Sequence, residues 1–337
     1  MNLCGRRVKR LKIGFIGCGG IASEHARRLA SIREVELAAF SDVRLERAKA
    51  LSAKYGGRAY ADWREMLNKE PLDVVFICLP PFAHGDEVII AAERGVHIYI
   101  EKPIALDVKL AEEMVRAVEK SGVKSQVGYQ LRFAAGVERA KKLVEEGVVG
   151  DIGLVVGMYW CRFIRRDWWL DRRKSGGQLV EQATHLYDIL RWLCGDVKRV
   201  YAEMDRIFYR DLKEMTIEDV SGVVLRFKSG AIGLVSSTIG AVPGFWWFRW
   251  SIIGRDAMLE CEEPNSLRVY YSSHKPLRIE EFREVGRDPM LLAELDLINA
   301  IIEDRETRVP ISEGAKTLQL TLAAVRAAET GKPVTLN

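Results

Sequence analysis

Apolar and polar residues follow two different rhythms along this chain. Over residues 1–130, short apolar runs at Leu11–Ile16, Val35–Phe40, Asp73–Leu79, His97–Ile100 and Ser125–Tyr129 read as strands. Between them lie stretches with apolar residues at helical spacing, such as Leu45–Tyr55 and Val108–Lys120, the second opened by Asp107 as a capping residue. Strands that alternate with helices over short connections predict parallel βαβ units. From Val148 onward the period becomes two. The runs "DIGLVVGMYWCRF", "DVSGVVLRFKSGAIGLVSSTIGA" and "FWWFRWSIIGRDAMLECE" alternate like strands with one solvated face, with a helix near Gln182–Leu193 among them. A last helix over Gly314–Thr330 follows Pro310. The pattern predicts an α/β chain in two parts. Residues 1–130 form a doubly wound parallel sheet, and residues 131–337 form an α+β domain with an open, mostly antiparallel sheet, its last helix able to pack back on the first domain.

Composition narrows the classes without choosing among enzymes. A chain of 337 residues, 48% of them hydrophobic, can fill two medium cores. No stretch is apolar for long enough to span a membrane, and the basic start "MNLCGRRVKR" lacks the apolar segment of a secretory signal, so a cytoplasmic protein is expected. A formal charge of +4, with acids and bases interspersed, leaves no basic footprint for nucleic acid. The six cysteines (Cys4, Cys18, Cys78, Cys161, Cys194, Cys261) are scattered without metal-ligand spacing, so neither a disulfide framework nor a metal site is expected.

The strongest local motif sits at the first strand-to-helix turn. "KIGFIGCGGIASEHARRLA" places Gly17, Gly19 and Ala22 in G-x-G-x-x-A register directly after a strand and at the start of a helix. Gly17 allows the tight turn, Gly19 lets the backbone approach a pyrophosphate, and Ala22 lets the helix pack close to the sheet. The phosphates then rest beside Gly20 and Ile21 on the helix N-terminus, where free N–H groups and the dipole favour anions. Asp42, at the end of the second strand, is placed to accept hydrogen bonds from the ribose hydroxyls of NAD. It should repel the extra phosphate of NADP, while Arg44, two residues on, should attract it. NAD is favoured and NADP stays open.

Taken together, the Gly17 turn, "CLPPFAHGD" with His84, "EKP" at Glu101–Pro103 and "SGGQLVEQATHLYD" at Ser175–Asp188 resemble the glucose-fructose oxidoreductase, inositol dehydrogenase and rhizopine-catabolism (Gfo/Idh/MocA) family over nearly the whole chain. The resemblance implies an N-terminal Rossmann domain and a second domain whose open sheet mediates homodimers or homotetramers. It also implies a site in the cleft between the domains that takes a sugar or polyol. It answers why an apolar strand should end in an acid, a base and a proline: the matching lysine, here Lys102, reaches the reacting carbinol and the nicotinamide ribose, Glu101 and Pro103 fix its backbone, and a cis peptide is common at that proline. The expected chemistry is hydride transfer between nicotinamide and a carbinol, with His185 as general base because imidazole titrates near working pH. Glu181, four residues before His185, would share its helix face and orient the imidazole or touch a substrate hydroxyl. The family's usual residue at 181 is Asp, so Glu is a departure of one methylene.

Further cofactor contacts implied by the resemblance are Leu79, Pro80, His84 and Gln130, with His84 lining the nicotinamide ribose or simply starting a helix. Tyr129 and Arg132 fall beside the nicotinamide and substrate. The Arg- and Trp-rich stretch "CRFIRRDWWLDRRKSGG" offers Arg162, Trp168, Trp169 and Arg172, since Trp faces stack on sugar rings and Arg binds hydroxyls or carboxylates; packing at a subunit interface is the other reading. "GFWWFRW" reads as sheet-face packing or oligomer contact. Two other functions belong to the same resemblance: an NAD-dependent glycosidase with no net redox change, and a nicotinamide-responsive binding or regulatory protein.

Overall fold

The computed structural model describes residues 10–164, 168–272 and 274–336, so Cys4 and nearly all of the basic start lie outside the described residues. Strands β1 (Leu11–Ile16), β2 (Val35–Ser41), β3 (Arg58–Tyr60), β4 (Val74–Ile77), β5 (His97–Ile100) and β6 (Ser125–Val127) form a six-stranded sheet in the order β3-β2-β1-β4-β5-β6, with every pairing parallel. Helices α1 (Gly20–Leu29), α2 (Leu45–Tyr55), α3 (Trp63–Lys69), α4 (Glu87–Glu93) and α5 (Val108–Ser121) make the crossovers. The strand order reverses between β1 and β4, which opens a crevice at the carboxyl ends of β1, β4 and β5. All four residues of β4 are buried, as a strand covered on both faces requires. At the centre of the sheet Phe15, Phe40, Phe76 and Tyr99 pack ring against ring, with Phe76 and Tyr99 stacked nearly parallel at 4.6 Å. Asp107 caps α5 by accepting from Leu110 N at 2.9 Å, and Gly122 ends that helix in the left-handed region.

The second half holds α6 (Ala135–Glu145), β7 (Ile152–Cys161), α7 (Arg172–Ser175), α8 (Gln178–Glu181), α9 (Thr184–Cys194), β8 (Val197–Asp205), β9 (Val220–Phe227), β10 (Ile232–Thr238), β11 (Trp246–Gly254), β12 (Ala257–Cys261), β13 (Ser266–Tyr271), β14 (Arg278–Arg283), α10 (Pro289–Glu303), α11 (Ile311–Thr330) and β15 (Val334–Thr335). The strands form one nine-stranded sheet, β14-β13-β12-β11-β7-β10-β9-β8-β15, antiparallel except for the parallel β7–β10 pair. Two of the long alternating runs fold as strand pairs, β9 with β10 and β11 with β12. Helix α9 covers one face of the sheet. On the other face Val224, Ile232 and Leu234 stay exposed, and Leu234 lies between Val224 and Val156 on neighbouring strands.

Helix α10 was not expected from the sequence. Asp288 caps it, accepting from Met290 N at 3.0 Å and Leu291 N at 3.2 Å, and Pro289 takes the first helical position, where a missing N–H costs nothing. It packs on α1, β5 and β6, while α11 spans from α5 and β6 to α9 and β8. Helix α11 thus ties the two sheets together. Among the described residues no helix is long and apolar enough to cross a membrane.

Candidate active site

The Gly-rich turn leaves room for a large anion. Gly17 has φ +86°, and a Cβ on it would stand 2.6 Å from the Cys78 carbonyl oxygen. A Cβ on Gly19 or Gly20 would meet nothing within 4 Å. Open space therefore lies before the start of α1, whose N-terminus has no side-chain cap, and Ala22 is fully buried behind it. Asp42 stands at the end of β2, accepting from Cys18 N and from Arg44 N at 2.8 Å each. Both carboxylate oxygens are thus fixed and each keeps a lone pair for a ribose hydroxyl. Ile21 and Arg44 are exposed, and Leu79 and Pro80 are half-buried just beyond β4. These residues fit a dinucleotide laid across the carboxyl ends of the strands.

Lys102 enters the same crevice beyond β5, and its peptide bond to Pro103 is cis. Its ammonium donates to the Glu181 carbonyl at 2.6 Å and to Glu181 Oε1 at 3.0 Å. Trp169 Nε1 donates to the other carboxylate oxygen at 2.7 Å. An ammonium has three N–H bonds, so one remains for a ligand. His185 lies near Lys102, buried, with Nδ1 lacking a protein partner and the edge of its ring against Tyr129. Burial, and then the Lys102 charge, push the His185 pKa well below the ordinary imidazole value. A charged donor and a neutral acceptor therefore stand side by side.

One expectation needs correction. The helix expected near Gln182–Leu193 is α9, but Glu181 ends the separate short helix α8, so Glu181 and His185 do not share a helix face. The break comes where the Glu181 carbonyl turns to Lys102, and both Gln182 N and Ala183 N close on the Gln178 oxygen. Glu181 accordingly holds Lys102 and makes no bond to the imidazole. Tyr129 is buried, its hydroxyl bonds Thr184 Oγ1 at 2.8 Å, and its ring packs against His185. Arg132 is 1% exposed and grips Asp188 through Nε at 2.8 Å and Nη2 at 2.6 Å, with Glu313 at 3.1 Å. Its guanidinium is committed within the protein. Arg172 likewise pairs with the buried Glu218 at 2.8 Å, and that carboxylate also accepts from Leu179 N in α8. Trp169 is buried and used by Glu181.

Trp168 is half-buried near exposed Phe82, so the two domains meet there across the crevice. Arg162 is exposed just past β7, and Gln130 is half-buried at the turn after β6. Residues Arg165, Arg166 and Asp167 of the Arg- and Trp-rich stretch lie outside the described residues. His84 pairs through Nδ1 with Glu87 at 2.9 Å, and its Nε2 is buried without a protein partner.

Two functional neighbours went unnoticed in the sequence. His25, inside the Gly motif's own helix, lies between Glu101 and Glu294, although a buried histidine three residues past the motif was a legible signal. Asp188, one turn after His185, is gripped by Arg132 and by Thr317 from α11.

Known proteins match this arrangement. Residues 11–129 fit the model of the oxidoreductase family with an NAD-binding Rossmann fold, and residues 137–260 fit the GFO/IDH/MocA C-terminal domain. The chain is 32% identical over 241 residues to the myo-inositol 2-dehydrogenase of Thermotoga maritima, covering 70% of each protein. It superposes on levoglucosan dehydrogenase in complex with NADH and L-sorbose with a TM-score of 0.91 at 22% identity, covering 98% of this chain and 99% of that one, a likeness of fold. The WlbA dehydrogenase from Bordetella pertussis, solved with NADH and UDP-GlcNAcA, matches at 26% identity and a TM-score of 0.84 over 97% of this chain and 99% of that one.

Proposed function

This chain belongs to the Gfo/Idh/MocA family of NAD-binding oxidoreductases, and from that premise we propose that it moves hydride between nicotinamide and a carbinol carbon of a sugar, polyol or sugar derivative, with Lys102 and His185 as its acid-base pair. The observation that carries the reading is the pairing of an anchored ammonium with a buried, neutral imidazole at the carboxyl end of β5. Bound NAD supplies the carbon that accepts hydride. Glu181 and its own carbonyl hold two of the three Lys102 N–H bonds, which aims the third at the substrate oxygen. His185 takes the hydroxyl proton as hydride leaves the carbinol carbon, leaving a carbonyl, NADH and a protonated imidazole. Burial beside Lys102 makes that imidazolium release its proton readily. In the reverse direction it is the donor. Glu101 faces the nicotinamide end of the cofactor, and Asp42 takes the adenosine ribose.

The similar proteins include a myo-inositol dehydrogenase, which supports a neutral polyol or sugar as the substrate class. We place a second copy of the chain on the open sheet face that carries Val224, Ile232 and Leu234, and sedimentation of the purified protein tests that placement.

The test of the chemistry is NADH formation across a panel of polyols, aldoses and sugar acids. Lys102→Met and His185→Gln should each lower turnover by about 10²-fold or more while NAD binding, read by tryptophan fluorescence, persists. Unchanged turnover in both variants overturns the assignment. Sugar release from a glycoside without NADH would point to the non-redox glycosidase, and NAD binding without any turnover to a regulatory role.

A further inference from the structure

Glu101 is the last residue before Lys102, and its carboxylate is boxed in. On one side Oε1 meets His25 Nε2 at 3.0 Å. On another, a Cβ on Gly128 would stand 2.8 Å from Oε1 and 2.9 Å from the carboxyl carbon, so only glycine permits this approach. The other nitrogen of His25, Nδ1, meets Glu294 Oε1 at 2.6 Å. His25 comes from α1 and Glu294 from α10, and neither has any exposed surface.

The proton count is set by this geometry. A neutral imidazole has one N–H, while ionised carboxylates at both ring nitrogens need two. His25 is therefore held as an imidazolium. Burial by itself would lower its pKa, but the bonds and charges of Glu101 and Glu294 raise it to about 9. Burial raises the Glu294 pKa in turn, against the lowering effect of His25, and the remaining groups around the ring do not compete. Tyr99, whose ring lies 4.9 Å from the imidazole, and the Cys78 thiol are both pushed up by burial and stay neutral. Arg28 and Asp288 pair with each other at 2.8 Å, and Glu24 adds a second carboxylate to Arg28.

We propose that His25, backed by Glu294, is a positioning residue that fixes the Glu101 carboxylate and with it the cofactor-facing end of β5, an inference that rests on the reading of Glu101 as a cofactor contact. Helix α10, which sequence patterning missed, thereby reaches through α1 to the nicotinamide end of the cleft. Two bonds, each to a charged partner, set where one carboxylate stands.

The test reads the dissociation constant for NAD by tryptophan fluorescence across pH, with no substrate present. Glu294→Gln keeps an acceptor for Nδ1–H but removes a charge, so His25 should give up its second proton at a lower pH than in the parent. The neutral ring loses its charge attraction to Glu101, and where its proton stays on Nδ1 it faces that carboxylate acceptor to acceptor. Because the folded pKa of His25 is raised, the parent should hold its affinity until pH approaches about 9. The E294Q protein should lose affinity from a lower pH, by on the order of tenfold. His25→Gln should bind weakly at every pH and show no such limb. Gly128→Ala, which leaves every titrating group in place and displaces the carboxylate, should also weaken binding throughout. Affinities equal to the parent's at every pH in both E294Q and His25→Gln overturn the positioning role and leave His25 a buried tie. Glu101→Ala is the control: unchanged affinity in that variant removes the reading on which the inference stands. Turnover in Lys102→Met and His185→Gln tests the hydride chemistry independently.

Discussion

The helix that presents His185 is clamped from behind by an ionic network, and removing one carboxylate from it has a calculable effect. Glu313, in the first turn of α11, accepts from Arg191 and from Arg132 with Oε2, and from Lys316 with Oε1 at 3.1 Å. Arg132 and Arg191 in turn hold Asp188, in the middle of α9, and Asp196, just past its end. Burial would raise the Glu313 pKa, but Arg191 first, then Arg132 and Lys316, pull it from 4.5 down to about 2. That displacement corresponds to about 3 kcal/mol favouring the folded state. Since the folded pKa is depressed, the stabilisation is complete above pH 4.5 and disappears as pH falls through about 2. Glu313→Gln should therefore cost about 3 kcal/mol at pH 7 but only about 1 kcal/mol at pH 3. Urea unfolding followed by tryptophan fluorescence at several pH values measures this, urea being uncharged and leaving ion pairs unscreened. Equal stability of the two proteins at pH 7, or a gap that does not shrink on acidification, refutes the reasoning.

Four further outcomes follow from the site. Gly19→Ala should fold with unchanged thermal stability, because its Cβ meets nothing within 4 Å, yet weaken NAD binding by roughly tenfold or more, as the methyl group would occupy the pyrophosphate approach. Asp42→Asn keeps one of the two acceptor oxygens of the turn and sheds the charge that repels a ribose phosphate, so kcat/KM for NADP should rise relative to NAD. The acid limb of kcat/KM for alcohol oxidation should lie well below pH 6.5, since His185 stays neutral there; a limb at or above the ordinary histidine value would contradict its placement. Trp169→Phe removes the donor to Glu181 and should lower kcat by roughly tenfold without changing NAD affinity, as steady-state kinetics and fluorescence titration would show.

What the sequence made legible was local. Strands β1 and β5 and helix α2 fall at the residues their apolar spacing predicts, because a buried strand and an amphipathic helix each impose a period on neighbouring residues. The Gly17 turn was equally readable, since the tight turn and the close approach of a phosphate constrain one short segment. Helix α10 escaped because "MLLAELDLINAII" is apolar on nearly all sides, lying between α1 and the edge of the first sheet, so no clean helical period marks it. Its cap and proline were the readable signs. The partners of the polar residues were hidden for a different reason. The type of Arg132, Tyr129, Trp169 and Arg172 cannot disclose that Asp188, Thr184, Glu181 and Glu218 bond to them from distant parts of the chain.

The same long-range pairing explains the departure at position 181. Within a continuous helix the Glu181 carbonyl would bond to His185 N; here it accepts from Lys102, which lies 79 residues earlier in the chain. The lysine thus breaks the helix that presents the histidine, and the carboxylate next to the break reaches both Lys102 and Trp169. An aspartate, one methylene shorter, has less reach to span a lysine on one domain and an indole on the other. Glu181 is in this sense the joint between the domains at the site, and its length follows from the distance between its two partners. Lys102 is held by bonds that leave it one free N–H, His185 is kept neutral by burial and then by the Lys102 charge, and neither condition can be read from the spacing of residues 181 and 185.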